Sequence, residues 1–79
     1  MPKDLRRLLD ELARRPDNIR PREIEKVAKD ADWTYRRTTG GHAIYKKPGA
    51  RRPLSIPRHP GAMKRGTALK LIRILWESL

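Results

Sequence analysis

The sequence predicts an α+β fold in which a three-stranded antiparallel sheet has helices packed on one face and an extra helix at the N-terminus. Two observations carry this. Apolar residues recur with the helical period in residues 3–15, in 21–31 and again after Thr67, whereas the stretch from Trp33 to Pro57 alternates with period two and is broken at Gly40-Gly41 and Pro48-Gly49. A third observation is size: 79 residues cannot enclose two independent cores, so 1–79 reads as one domain.

The first helix rests on Leu5, Leu8, Leu9 and Leu12, spaced i, i+3, i+4, i+7, and Pro16 should stop it. Its outer face offers four i, i+4 ion pairs: Arg6–Asp10, Arg7–Glu11, Asp10–Arg14 and Glu11–Arg15. Pro21 suits the first turn of a second helix whose buried face is Ile24, Val27, Ala28 and Ala31. Trp33, Tyr35 and Arg37 alternate with Thr34, Arg36 and Thr38, and beyond the glycine pair His42, Ile44 and Lys46 alternate with Ala43, Tyr45 and Lys47, which makes a hairpin. A third strand over Arg52–Pro57 carries two prolines and belongs at an edge. Thr67 is the expected N-cap of the last helix, with Ala68, Leu71, Ile72, Leu75 and Leu79 as its stripe and Trp76 beside Ile72. Leu69 and Ile74 fall off that stripe, which suggests either a second surface to cover or loose packing.

Parity within the second strand poses a conflict. His42 and Ile44 share a face, and Ile44 is the better candidate for the core. Either the glycine pair introduces a bulge that re-aims His42, or His42 lies at the sheet end where parity relaxes.

Charge is divided unevenly. Of the net +11, residues 1–32 hold nine bases against eight acids, while residues 33–79 hold eleven bases against Glu77 alone. A one-sided basic field of this kind fits a polyanion such as nucleic acid. An acidic protein or an acidic membrane is the rival partner, but these bases are interleaved with turns and strand-like alternation, unlike a basic amphipathic membrane helix.

Several chemistries are excluded. With no cysteine there is no disulfide framework, thiol catalysis or Cys-ligated zinc. The chain has no apolar run long enough to span a membrane and no signal-peptide pattern, so an intracellular protein is expected, neither exported nor membrane-spanning. Between Trp33 and Trp76 there is no carboxylate to hold a cation, so no metal or other cofactor is expected in the basic half. Nucleotide-binding glycine fingerprints are absent, and Ser55 has no acid near it in sequence to complete a triad. His42 and His59 remain as side chains able to shuttle protons near neutrality. His42 has Arg36, Arg37, Lys46 and Lys47 around it in sequence and is the candidate base for attack by an RNA 2′-hydroxyl; His59, in a loop beside Arg58, is a candidate phosphate ligand.

Gly40-Gly41-His42-Ala43-Ile44-Tyr45, Pro48-Gly49, Leu54-Ser55-Ile56-Pro57-Arg58-His59 and Lys64-Arg65-Gly66-Thr67, followed by Leu71-Ile72 and Leu75, together resemble the HicA toxin family. The resemblance covers about residues 21–78 and leaves 1–16 as an N-terminal helical extension. It implies a double-stranded-RNA-binding-domain-like fold and a cytoplasmic toxin that cleaves messenger RNA without a metal. It also implies a HicB-type antitoxin partner and a higher-order toxin–antitoxin complex. The family's catalytic histidine maps onto His42, although its usual Gly-Ser-His reads Gly-Gly-His here. The expected RNA-binding set is Arg36, Arg37, Lys46, Lys47, Arg58, His59, Lys64 and Arg65. The rival readings are a non-catalytic RNA-binding module and, less well supported by a last helix with only Lys70 and Arg73 inside it, a DNA-binding module.

Overall fold

The computed structural model describes residues 4–79. Helix α1 spans Leu5–Ala13, α2 Pro21–Asp30, β1 Thr34–Thr39, β2 His42–Lys46, β3 Leu54–Pro57 and α3 Arg65–Glu77. The expected start of the first helix at residue 3 lies outside the described residues. The three strands form one antiparallel sheet in the order β1-β2-β3. Helices α2 and α3 pack on one face of it, and α1 packs on those two helices.

At the start of α1 the Asp4 carboxylate accepts the Arg7 N–H at 3.1 Å. The helix ends at Ala13, short of the expected Arg15, because the residue before a proline is pushed out of the α region. Freed from the helix, Arg15 pairs with Glu23 instead of the expected Glu11. Its guanidinium donates to the Asn18 carbonyl at 2.7 Å and to both Glu23 oxygens, the shorter contact being 2.7 Å. The hydrogen bond from Arg15 holds the Glu23 carboxyl below its usual range. Glu23 also accepts the N–H of Arg20 at 2.9 Å, which caps the first turn of α2. Of the four ion pairs expected along α1, Arg7–Glu11 (3.7 Å) and Arg14–Asp10 (3.0 Å) are formed.

Helix α2 ends in a two-bond C-terminal motif: Trp33 N–H reaches the Ala28 carbonyl at 2.9 Å and Asp32 N–H the Lys29 carbonyl at 3.2 Å. The geometry needs a left-handed residue, and Asp32 supplies it at φ 68°. Trp33 then turns inward and is buried.

The core is one cluster. Leu9 and Leu12 of α1 share it with Ile24, Val27 and Ala28 of α2, Ala43, Tyr45, Leu54 and Ile56 of the sheet, and Ala68, Leu71, Ile72 and Leu75 of α3. Ile19 and Met63, isolated apolar residues in loops, are also buried, and Met63 N–H donates to the Ile19 carbonyl at 2.8 Å. That tie sets the entry to α3, which begins at Arg65 with Lys64 as its N-cap, so Thr67 lies inside the helix rather than capping it. Ile74 packs against the core, contrary to its off-stripe position, whereas Leu69, Trp76 and Leu79 remain exposed. The helix stops at Glu77, and this leaves Leu79 beyond the last turn.

Asp32 pays twice for its position, once for a left-handed backbone and once for a negative charge at a helix C-terminus. Asp32→Gly should therefore stabilise the protein by about 0.5–1 kcal/mol, read as a higher denaturation midpoint. A lowered midpoint would show that the Asp32 side chain contributes something this geometry omits.

Candidate functional site

The sheet face away from the helices is built on the alternation of β2. Ala43 and Tyr45 point into the core, so His42, Ile44 and Lys46 point out. The conflict between His42 and Ile44 is thus resolved in favour of His42's face: the core takes Ala43 and Tyr45, and Ile44 is left half-buried on the open side. Cross-strand partners share a face, so Thr39 and Pro57 flank His42, Arg37 and Ser55 flank Ile44, and Thr34 lies opposite Lys46.

The irregularity is in β1, not at the glycines. Pairing passes from Tyr35↔Tyr45 to Arg37↔Ile44, which leaves Arg36 as an extra residue. The bulge reverses parity beyond it. Tyr35 and Thr38, three apart, fall on the helix side and join through their hydroxyls at 2.7 Å, while Arg37 and Thr39 move to the open face beside His42. Gly40 and Gly41, at φ 57° and 77°, make the two-residue turn that brings Thr39 opposite His42. The His42 ring is exposed, and its Nδ1 lies 3.1 Å from the Gly40 carbonyl oxygen.

The expected site residues separate into groups. Arg36, Arg37 and Lys46 are exposed on β1 and β2, with Lys46 four residues along the strand from His42, about 13 Å. Lys47 is turned the other way, its Nζ donating to the Ser78 carbonyl at 3.0 Å. Arg58 N–H donates to the Gly41 carbonyl at 2.8 Å, next to His42, but its guanidinium meets Glu25 at 3.2 Å and lies 5.5 Å from the centre of the Tyr35 ring. His59 is exposed in the following loop, its Nδ1 3.3 Å from the Pro60 carbonyl. Lys64 and Arg65 stand at the start of α3, Arg65 paired with Asp17 at 3.1 Å.

Compensation of charge follows the same division. Among the described residues, the bases from 33 onward that pair with a carboxylate are Arg58, Arg65 and Arg73, and two of their acids, Glu25 and Asp17, come from the N-terminal third. Arg36, Arg37 and Lys46 have none, so the open face keeps its positive charge. Among the described residues no three His, Asp or Glu side chains converge as a metal site would require.

A family comparison meets this geometry. The match is to the HicA toxin of bacterial toxin–antitoxin systems and spans residues 21–75. The chain belongs to the HicA toxin family. Neither a curated protein nor a solved structure matches it. As a HicA toxin it has a HicB-type antitoxin as its implied partner. The matched span opens at α2, so α1, which fills the core with Leu9 and Leu12, lies outside it. No helix among the described residues is long and apolar enough to cross a membrane.

Glu25 was not singled out by the sequence, yet it links this toxin's layers. Its Oε1 accepts the Tyr45 hydroxyl at 2.7 Å as well as Arg58. The available signal was Tyr45 itself, since a tyrosine on a core-facing position needs a polar partner for its hydroxyl. Burial first, and then the bond to Glu25, push the Tyr45 phenol up to about 12. A folded-state value raised above the ordinary 10 means stability that is complete below pH 10 and is lost as pH rises through about 12. Tyr45→Phe should therefore lose stability less steeply than the wild type in denaturant melts above pH 10. Equally steep curves would contradict this source of alkaline sensitivity.

Proposed function

We propose that this HicA toxin is a metal-independent endoribonuclease that cuts messenger RNA on the open sheet face, with His42 as its general base. The observation that carries the proposal is the contact between His42 Nδ1 and the Gly40 carbonyl. A carbonyl can only accept, so a neutral ring making this bond holds its proton on Nδ1 and leaves the Nε2 lone pair free. Nε2 takes the proton of a 2′-hydroxyl. The 2′-oxygen forms a bond to the adjacent phosphorus, the bond from phosphorus to the 5′-oxygen breaks, and the leaving oxygen is protonated by the imidazolium or by water.

Negative charge grows on the phosphorane oxygens during this step, and uncompensated cations stabilise it without needing a metal. Arg37 is the nearest such group in register, opposite Ile44, with Arg36 and Lys46 farther along the face. Thr39 and Pro57 flank the histidine and bound the space in which the scissile nucleotide lies. His59 and Lys64 extend the basic surface past the end of β3, and Arg58, Arg65 and Lys47, tied to Glu25, Asp17 and Ser78, contribute field rather than direct contacts. The HicB-type antitoxin blocks the toxin by covering the His42 face, within a larger toxin–antitoxin assembly.

His42→Ala should retain RNA binding and lose cleavage by roughly 10²-fold or more, and a 2′-deoxy substitution at the scissile nucleotide should block the wild type similarly. Chelator should have no effect. Full activity of His42→Ala, cutting at the deoxy position or a strict requirement for Mg²⁺ would overturn the mechanism. RNA that binds but is never cut would make the protein an RNA-binding module instead.

A further inference from the structure

A cleft of about 470 Å³ opens at the other end of the sheet from His42, between the β2–β3 loop and the C-terminal end of α3. Its apolar floor is Trp33 and Ile74, and its rim carries Lys47, Arg51 and Arg52. The floor is held in place. The buried Trp33 indole donates to Ser78 Oγ at 3.2 Å, Ser78 Oγ donates to the Leu75 carbonyl at 2.8 Å, and Lys47 holds the Ser78 carbonyl. Glu77 also lines the cleft, but its carboxylate is engaged by Arg73 at 3.8 Å. Arg51 and Arg52 are exposed and form no ion pair among the described residues.

Two unpaired cations, Arg51 and Arg52, with Lys47 tied to Ser78, outweigh the one acid, Glu77, and leave the concave surface net positive, which suits an anion. Its position says which anion. Lys46 ends the open face of β2, and the next residue, Lys47, lines the cleft with Arg51 and Arg52, so the end of β2 joins the basic open face, with Arg36 and Arg37 on the neighbouring strand, to the cleft. A small ligand would need only the cleft, whereas a chain of phosphates uses the whole track.

We propose that this cleft is a second RNA-binding site, in which Arg51 and Arg52 take backbone phosphates of the strand leading away from the cut. The proposal rests on the RNA reading of the His42 face and adds to it a reach beyond the scissile nucleotide. Each phosphate contact releases counterions, so the cleft contributes affinity and salt dependence without reading sequence.

The test is binding of a fluorescent 2′-O-methyl dodecanucleotide, which has no free 2′-hydroxyl and stays whole, over a series of salt concentrations. Arg51→Ala/Arg52→Ala should weaken binding roughly tenfold at low salt and make the slope of log K against log salt shallower by about 1.4, the value for two phosphates of a single strand. Arg51→Lys/Arg52→Lys should keep the wild-type slope. Arg6→Ala/Arg22→Ala removes the same charge from the helices and should change the slope little. Equal slopes for the two alanine pairs, or an unchanged RNA affinity with weakened binding of poly-glutamate, would overturn the assignment, the second by making the cleft a site for an acidic protein. Failure of the nuclease reading is seen separately, as unmodified RNA that is bound and left uncut.

Discussion

Strand β2 is paired on both sides, and its alternation is the constraint on which the rest depends. Ala43 and Tyr45 occupy the helix side with no exposed surface, and with no phenylalanine in the chain Tyr45 is the largest side chain fully buried. Moving the register by one residue would exchange that ring for His42, Ile44 and Lys46 and would bury two polar groups. The same choice leaves the histidine and its basic neighbours outside. Core and candidate site are two consequences of one period-two pattern, and the Tyr45 hydroxyl, anchored on Glu25, locks α2 onto it.

The bulge at Arg36 is what makes the neighbouring strand serve that face. In a regular strand, Tyr35 on the helix side would carry Arg37 and Thr39 with it. One extra residue restores Arg37 and Thr39 to the side of His42, and the bond between Tyr35 and Thr38 records the switch. The bulge and the two prolines flanking and ending β3 also blunt the two sheet edges, which would otherwise invite strand pairing with another chain. Charge is then sorted by place: Glu23 and Glu25 of α2 and Asp17 of the loop before it pair with Arg15, Arg58 and Arg65, whereas Arg36, Arg37 and Lys46 pair with no carboxylate among the described residues.

Much of this was legible in the chain. The helical periods located α1, α2 and α3 to within two or three residues at the ends that can be compared, and Gly40-Gly41 announced the hairpin because the favoured two-residue turns need left-handed residues, which glycine adopts without strain. His42 and the basic half were evident from residue type and count. The bulge was not, because Tyr35 to Thr38 reads equally well as unbroken alternation and the extra residue is revealed only by its partners. Nor were Ile19 and Met63, since single apolar residues in loops have no period. Lys46 and Lys47 look alike in sequence, yet a strand sends neighbours to opposite sides and only Lys46 stays with the open face. The early start of α3 was hidden for a related reason: backbone contact from Met63, rather than a capping side chain, sets it.

In the proposed mechanism the strand is broken by the RNA's own 2′-hydroxyl after His42 removes its proton. The ends left on a defined RNA test it most directly, because the two routes to a broken phosphodiester leave different groups. Mass spectrometry of fragments made by the purified toxin in the presence of chelator should find a 2′,3′-cyclic phosphate on one side and a 5′-hydroxyl on the other. A 3′-hydroxyl opposite a 5′-phosphate would mean that water attacked instead, and would contradict the account.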